Sequence, residues 1–431
     1  MNLNDTVAPA ASAAVSDKAP ASSWYALAIL TLIYSCHFLD RSMISIIVEP
    51  VRREFMLTDS QIGLLTGLAY GATFALAGIP LGLMVDRVVR VRLLAVLVAI
   101  WSGMTALSAY ATSFTYLLLA RMGVGASEAG GSPTSMSLIS DLFPPNKRST
   151  AVGCFFLSNA FGATASIFIG GYVTAVYGWR TAMLVAGLPG LILAVVLFVT
   201  VKEPKRGGTD LVKTSSTPAP LGDVMRFFVA NPAMLHLMLG TAILTAGIAT
   251  IGAWLPSYSM RFHDFNIKQA GLAAAVAGGF CGAIGSVVGG IVSDRLGKGK
   301  ARRRLDLCTA ICLLATALSL VGVLSPSTPV AITLLSLTML FGFGCYPAAF
   351  GTMLGLADSN MRGMTAASLQ ICTNLVGYGL GPYMVGILSD QIGGAGSLRI
   401  AMAIVMGVCF PWAAVHFWLG ARAIARLKSA L

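Results

Sequence analysis

Long apolar runs recur along almost the whole chain. Few polar residues lie within any run, so a helix formed by it would have no polar face for water. Of the 431 residues, 56% are hydrophobic and only 11% are charged, so the charged side chains are too few to coat a water-facing surface. A helix that spans a bilayer needs about 20 consecutive apolar residues. A helix is suited to this environment because its backbone groups form hydrogen bonds with one another. The pattern therefore argues against a large soluble protein with buried helices.

Twelve such runs predict an all-α integral membrane protein with twelve transmembrane helices. One substantial polar linker, rich in Gly, Ser, Thr and Pro, separates the sixth run from the seventh and divides the chain into two halves. The predicted organisation is a disordered tail (1–22), six helices (23–201), the linker (202–228), six more helices (229–421) and a second tail (422–431).

The loops between the runs carry a strong asymmetry of basic residues. Twenty-one Lys and Arg fall on the side that holds both termini and the linker, and six fall on the other side. The positive-inside rule therefore predicts cytoplasmic termini and a cytoplasmic linker in the plasma (inner) membrane. The net charge of +12 follows from this topology, so we expect no nucleic-acid partner. We expect a monomer.

The sequence shows none of the residue clusters that an enzyme or a cofactor site requires. Its four histidines are scattered, its eight cysteines lie in apolar runs, and it has neither a Walker loop nor a metal-ligand cluster. We therefore expect no cofactor, no metal and no enzymatic activity. A membrane enzyme or a receptor is the alternative class, and neither a catalytic constellation nor a soluble ligand domain supports it.

A short element is repeated about half a chain apart. GLMVDRVVRVR (Gly82–Arg92) and GIVSDRLGKGK (Gly290–Lys300) both read Gly, three residues, Asp and Arg, and GILSDQIGG (Gly386–Gly394) is a weaker echo. A small residue lets a neighbouring helix approach, so the aspartate can lie at that helix's terminus. We predict a cytoplasmic gate that closes through these residues, although loops that merely carry topological charge are the alternative. The gate residues are Asp86, Arg87, Asp294 and Arg295.

Four ionisable residues lie deep inside apolar runs, Asp40 and Arg41 in the first and Arg121 and Glu128 in the fourth. Each such charge costs at least about 2.5 kcal/mol on insertion scales and usually faces a cavity or a partner. Protonating one carboxylate of such a cluster leaves an arginine without its counter-ion, which is a two-state switch for proton coupling. Asp40 and Glu128 are the predicted protonation sites, and Arg41 and Arg121 are counter-ions or anchors for an anionic headgroup. A permanent ion network is the alternative.

Other polar and aromatic side chains within the runs are candidates for the lining of a central cavity. Hydrogen bonding between helices explains several of them equally well, and a histidine near the buried acids can relay protons. The candidates are Tyr34, His37, Phe38, Asn159, Gln370, Asn374 and Tyr378.

The doubled G-x-x-x-D-R element, the twelve runs and the linker resemble the major facilitator superfamily across the whole chain. The resemblance implies two pseudo-symmetric six-helix bundles around a central cavity, with helices 1, 4, 7 and 10 lining it and helices 2, 5, 8 and 11 forming the gates. Val89 stands where that family usually has a second glycine, so this turn is expected to be less tight.

Two segments of the first half resemble the spinster family of lysolipid and sphingosine-phosphate transporters. The matching elements are the Asp40–Arg41 pair, DSQIGLL at Asp59–Leu65, and Arg121 with Glu128. This resemblance implies proton-coupled transport of a lysophospholipid or a sphingoid-type lipid by alternating access. The second half has almost no deeply buried charge, which suits an amphiphile. A proton-linked carrier of small organic anions or drugs is the alternative, with Arg41 and Arg121 binding a carboxylate.

Overall fold

The structure, a computed structural model, describes residues 20–85, 87–206, 226–228, 230–297, 301–357 and 361–429. Within these ranges the regular structure is helical, with no strand. Most of the predicted first tail and linker, Asp86 and the last two residues lie outside the described part of the chain.

Within the described ranges, twelve membrane-spanning helices follow one another along the chain. Ten continuous helical stretches are long and apolar enough to span a membrane; one of them, Thr150–Thr200, contains two spans, and a further span is interrupted. The helices are α1 (Ala21–Phe55), α2 (Asp59–Val85), α3 (Arg90–Ser108), α4 (114–142), α5 (145–177), α6 (179–200), α7 (Pro232–Phe262), α8 (267–297), α9 (Ala301–Leu324), α10 (Thr328–Leu356), α11 (362–392) and α12 (Ser397–Ser429).

Local backbone geometry explains where helices break. Gly178 has φ +85°, which glycine adopts at little cost, and it turns the chain from α5 into α6. Helix α4 is interrupted between Phe114–Glu128 and Gly131–Leu142, each too short to span a bilayer alone. At the C-terminus α12 continues to Ser429, into the predicted tail, because its last residues are mainly strong helix formers.

Four of the described helices contain a stretch of π-helix. The stretches are Leu64–Leu68 in α2, Ile167–Val173 in α5, Ala275–Cys281 in α8 and Thr373–Leu380 in α11. These are the four helices to which the family resemblance assigns the gates. A π turn changes the rotational register of the helix and is frequent at functional sites.

The two halves pack tightly on one side of the membrane. We call the side where α6 ends and α7 begins the linker face, and the opposite side the far face. Near the far face α2 packs directly on α11: a Cβ atom at Gly67 would lie 2.7 Å from Gly379 O, and one at Gly63 would lie 2.7 Å from Pro382 O. Small residues permit this close backbone contact between helices.

Toward the linker face, α2 no longer has a close neighbour at its glycines. A Cβ atom at Gly78 or Gly82 would meet nothing within 4 Å, and Leu76 is 76% exposed. The halves are therefore closed together at the far face and separated at the linker face.

Candidate functional site

Asp40, one of the two predicted protonation sites, forms a tight ion pair. Arg121 on α4 donates from Nη1 to Asp40 Oδ2 on α1 at 2.6 Å, and the Thr105 hydroxyl on α3 donates to Asp40 Oδ1 at 2.8 Å. Asp40 and Arg121 are 3% and 2% exposed. Breaking such a pair leaves an uncompensated buried charge, so this contact ties α1 to α4.

The other buried acid has different partners. Glu128 Oε2 accepts a hydrogen bond from the Tyr70 hydroxyl at 2.7 Å and lies 2.9 Å from His37 Nδ1. Its second oxygen, Oε1, is buried without a hydrogen-bond partner, and among the described residues no guanidinium contacts the carboxylate. In the described part of the chain, Glu128 therefore has a histidine and a tyrosine, and no arginine, as its direct partners.

Arg41 turns away from both acids and reaches the second half of the molecule. Its guanidinium carbon lies 3.7 Å from the ring centre of Tyr378 and 5.2 Å from that of Tyr70, and Nη2 donates to Asn374 Oδ1 at 3.5 Å. No carboxylate contacts it in the described chain, so the four charges do not form the single predicted cluster. Consecutive helical residues point about 100° apart, so Asp40 and Arg41 face different neighbours, Asp40 facing α4 and Arg41 the cavity.

A central cavity lies beside Arg41 between the halves. The first half contributes most of its polar lining, and the seventh, eighth and tenth helices contribute mainly apolar side chains. The polar lining includes Arg41, Ser42, Ser45, Thr66, Tyr70, Arg121, Asn159 and Ser166. The apolar lining includes Ile248, Ala249, Ala253, Ala274, Met339 and Phe343.

The structure separates the predicted lining residues into two groups. Phe38, Asn159 and Tyr378 line the cavity. Tyr34 lies behind it, stacked on His37 with ring centres 4.8 Å apart. The remaining two lie on α11: Asn374 is buried and donates to the backbone carbonyl of Gln370, whose side chain is exposed outside the cavity lining.

The three predicted gate residues that the structure describes do not bridge the halves. Asp294 on α8 accepts from Arg304 on α9, in the same half, at 3.1 Å, and Arg295 and Arg87 are exposed. Asp86 lies outside the described residues. An open linker face separates the elements that such a gate would join, so the gate stays a prediction.

A basic residue near this gate has a structural role that sequence reasoning missed. Arg90, counted there as a topological charge, is 1% exposed and donates to Asp141 Oδ2 at 2.5 Å, to Glu203 Oε1 at 2.8 Å and to the carbonyl oxygen of Pro204 at 3.0 Å. It therefore joins α3 and α4 to the segment that follows α6.

Substitution of Arg90 by Ala is expected to destabilise the first half by about 3 kcal/mol, because two carboxylates lose their buried cation. The measurement is the apparent melting temperature of the detergent-solubilised protein. Arg92→Ala, which removes an exposed arginine of the same helix, is the matched control and should change little. Equal melting temperatures for the two variants would show that the Arg90 contacts contribute nothing.

A cluster of charges at the far face joins the halves. Arg261 at the end of α7 donates from Nε to Glu49 Oε1 at 2.7 Å and from Nη1 to Asp59 Oδ1 at 2.9 Å. The Ser389 hydroxyl on α11 donates to Asp59 Oδ2 at 2.6 Å. Glu49 and Asp59 are 2% and 7% exposed. Sequence reasoning missed this cluster because Arg261 falls at a span end and was counted as a topological charge.

The weaker echo of the repeated element lies beside this cluster. Asp390 accepts from the backbone N–H groups of Asp59 at 2.9 Å and Ser60 at 2.8 Å, the first residues of α2. A Cβ atom at Gly386 would lie 2.8 Å from Ser60 Cα, so the glycine permits the approach. An aspartate at a helix N-terminus interacts favourably with the helix dipole. An aspartate at the terminus of a neighbouring helix was the arrangement predicted for the copies at Gly82–Arg92 and Gly290–Lys300. In this structure it occurs in the third copy, at the far face.

Comparison with known proteins identifies the family. The sequence pattern that describes the Major Facilitator Superfamily matches residues 30–382. The chain belongs to the major facilitator superfamily. The predicted fold, two pseudo-symmetric six-helix bundles, is confirmed, and the chain is a membrane transporter and not an enzyme.

Individual relatives differ in their named substrates. The chain is similar to the crystal structure of a bacterial homolog of the human lysosomal transporter Spinster in an inward-facing, unoccupied conformation (26% identity, TM-score 0.83, 95% of this chain and 99% of that one). It is also 26% identical to an MFS-type efflux pump of Mycolicibacterium smegmatis (93% of both chains), a probable L-galactonate transporter of Escherichia coli (88% and 85%) and the sphingosine-1-phosphate transporter SPNS2 of Danio rerio (85% and 76%). The resemblance to the spinster family is confirmed.

Proposed function

We propose that this transporter moves an amphipathic anion, of the lysophospholipid or sphingoid-phosphate type, by proton-coupled alternating access. The observation that carries the proposal is Arg41, a cation at the cavity that contacts no carboxylate among the described residues. A half-buried cation at the cavity without an acid partner favours an anionic ligand, which would form charge-assisted hydrogen bonds with the guanidinium.

The opposite wall of the cavity supports an amphiphile. Ile248, Met339 and Phe343 of the second half face the same space as Arg41. A headgroup bound at Arg41 would place an acyl or sphingoid chain against these apolar side chains, whose burial contributes to binding. The spinster and sphingosine-phosphate relatives are consistent with this assignment.

The two acids support proton coupling, and their environments assign them different roles. Asp40 is held by the permanently charged Arg121, so a proton on Asp40 would strand that arginine in the core. Among the described residues, Glu128 forms side-chain contacts with His37 and Tyr70 alone, so it can be protonated and deprotonated without leaving a guanidinium unpaired. Glu128 is therefore the proposed primary protonation site, and Asp40 is the second.

The basic asymmetry supports a cytoplasmic linker face in the inner membrane. In that orientation the closed far-face cluster faces the outside, and this structure is the inward-facing state. The cavity then exchanges substrate with the cytoplasmic side before the halves rock about it.

The experiment that tests the substrate class is proton flux driven by lysophosphatidic acid in proteoliposomes. Arg41→Gln should reduce this flux at least about tenfold, because it removes a charge-assisted contact with the headgroup. Arg53→Gln, which removes an exposed arginine from the same helix, is the matched control. Equal flux for wild type and Arg41→Gln would contradict the assignment of Arg41.

A second candidate is proton-linked transport of small organic anions, with Arg41 and Arg121 binding a carboxylate. The similarity to a probable L-galactonate transporter favours it, and the similarity to an efflux pump extends it to drugs. The two candidates differ in competition: if galactonate drives proton flux and lysophosphatidic acid fails to compete, the small-anion carrier replaces the lipid transporter.

A further inference from the structure

One buried side chain connects the proposed proton site to the proposed anion site. Tyr70 on α2 is 3% exposed, and its hydroxyl donates to Glu128 Oε2 at 2.7 Å. The face of its ring lies 5.2 Å from the guanidinium carbon of Arg41 and 5.6 Å from that of Arg121. The same side chain thus contacts the carboxylate with its polar end and both arginines with its ring.

The packing of α4 on α2 fixes Tyr70 in this position. A Cβ atom at Gly125 would lie 2.6 Å from the backbone oxygen of Tyr70, so the glycine brings the backbone of α4 against α2 at this residue. Glu128 follows Gly125 by three residues and therefore lies on the same side of α4. The π-helical stretch Leu64–Leu68 ends two residues before Tyr70, where a small change of helix register rotates the side chain.

The charge of Glu128 determines how strongly Tyr70 is held. A hydroxyl bound to a carboxylate forms a charge-assisted bond about twice as strong as a neutral one, so protonation of Glu128 weakens the hold. The other titratable or charged groups near Glu128 are His37, in contact from α1, Arg121 on its own helix, and, at longer range on α1, Tyr34, Asp40 and Arg41.

The ring of Tyr70 and the ring of Tyr378 belong to different halves, and both face the Arg41 guanidinium. A cation over an aromatic face is attracted by the negative face of the ring. Movement of Tyr70 therefore changes the environment of Arg41, and with it the ability of Arg41 to bind an anion.

We propose that Tyr70 is the positioning residue that couples protonation of Glu128 to the anion affinity of Arg41. The proposal rests on the proposed function, because it takes Glu128 as the proton site and Arg41 as the headgroup site. Tyr70 acts through its hydroxyl on one site and through its ring on the other.

The test is the pH dependence of lysophosphatidic acid binding to Tyr70→Phe, which keeps the ring and removes the hydroxyl. In the wild type the dissociation constant should change about tenfold between about pH 5 and about pH 8, and in Tyr70→Phe by no more than about twofold. Tyr70→Leu should weaken binding at every pH because it also removes the ring. Tyr258→Phe is the matched control: this buried hydroxyl donates to the backbone oxygen of Val323, far from the acids. Full pH dependence in Tyr70→Phe would overturn the proposal.

A double-mutant cycle separates coupling from a merely structural role. Glu128→Gln, Tyr70→Phe and the double variant should show non-additive effects on the pH dependence, because the hydroxyl acts through the carboxylate. Additive effects would contradict the proposal.

A substrate-free readout distinguishes failure of this proposal from failure of the proposed function. Spin labels at Thr112 and Ser327, both exposed at the far face, report its opening in a background without the eight native cysteines. If acidification changes the label distance, the midpoint of that change should move to higher pH by about one unit in Tyr70→Phe, since charged Glu128 has lost a hydrogen bond. If the midpoint shifts in Tyr70→Phe but the protein binds no lysophosphatidic acid, only the lipid substrate is rejected. An unchanged midpoint would reject the role of Tyr70.

Discussion

Replacement of Glu128 by Gln is expected to abolish substrate-driven proton flux while substrate exchange across the membrane continues. The substitution removes the proposed primary proton site but keeps a side-chain oxygen that can accept from the Tyr70 hydroxyl, so the packing of α2 on α4 should persist. The measurements are acidification of the vesicle lumen and counterflow of labelled lysophosphatidic acid in the same proteoliposomes. Normal proton flux in Glu128→Gln would contradict the assignment of the proton site.

The matching substitution on the other acid should have a different outcome. Asp40→Asn leaves Arg121 buried without its counter-ion, at a cost of about 3 to 5 kcal/mol, so both proton flux and exchange should fall and the protein should melt earlier. Glu54→Gln on the same helix is the control, because Glu54 pairs with Arg180 at the exposed surface, where such pairs contribute little. If Asp40→Asn kept exchange and lost only proton flux, the roles of the two acids would be reversed.

The fold was predictable because its determinants are local in the sequence. A spanning helix needs about 20 apolar residues whatever it packs against, and loop charge sets orientation, so run length and loop composition define the twelve helices. Asp40, Arg41, Arg121 and Glu128 could be identified for the same reason, since a charge inside an apolar run costs free energy wherever the helix lies.

The partners of those charges were not predictable, because they depend on how each helix is rotated and where its neighbour lies. Asp40 and Arg41 are adjacent in sequence, yet one joins α4 and the other crosses to α11. Tyr70 gave no signal, since an aromatic residue in an apolar run usually belongs to the core. Its position depends on Gly125 of another helix, which is a tertiary contact.

The far-face cluster of Glu49, Asp59 and Arg261 was also not predictable from the sequence, for a different reason. Glu49, Asp59 and Arg261 lie near span ends, where charged residues are inexpensive and common. Only the packing of α1, α2 and α7 brings them together and excludes water from the two acids. Their burial turns ordinary loop charges into a contact whose loss is costly, and the second large effect that we predict follows from it.

Replacement of Arg261 by Gln is expected to shift the transporter toward a state open at the far face. The substitution removes the close cation of the buried acids Glu49 and Asp59 and leaves them only the longer contacts to the partly exposed Arg52, at 3.8 and 3.7 Å. Opening that face returns both acids to water. A penalty of about 3 kcal/mol on the closed state corresponds to roughly a hundredfold change in the ratio of the two states. The label pair at Thr112 and Ser327 measures this shift as a longer distance between the halves.

Rescue distinguishes electrostatics from lost packing. If the uncompensated acids drive the opening, adding Glu49→Gln and Asp59→Asn to Arg261→Gln removes both charges and should return the label distances toward those of the wild type. The Asp390 contacts with the start of α2 remain in this triple variant and continue to hold α11 against the first half. Arg53→Gln, an exposed arginine at the same face, should leave the distances unchanged. If the triple variant stayed as open as Arg261→Gln, the charges would not be what closes the far face, and the close contact of Gly67 with α11 would have to provide the closure instead.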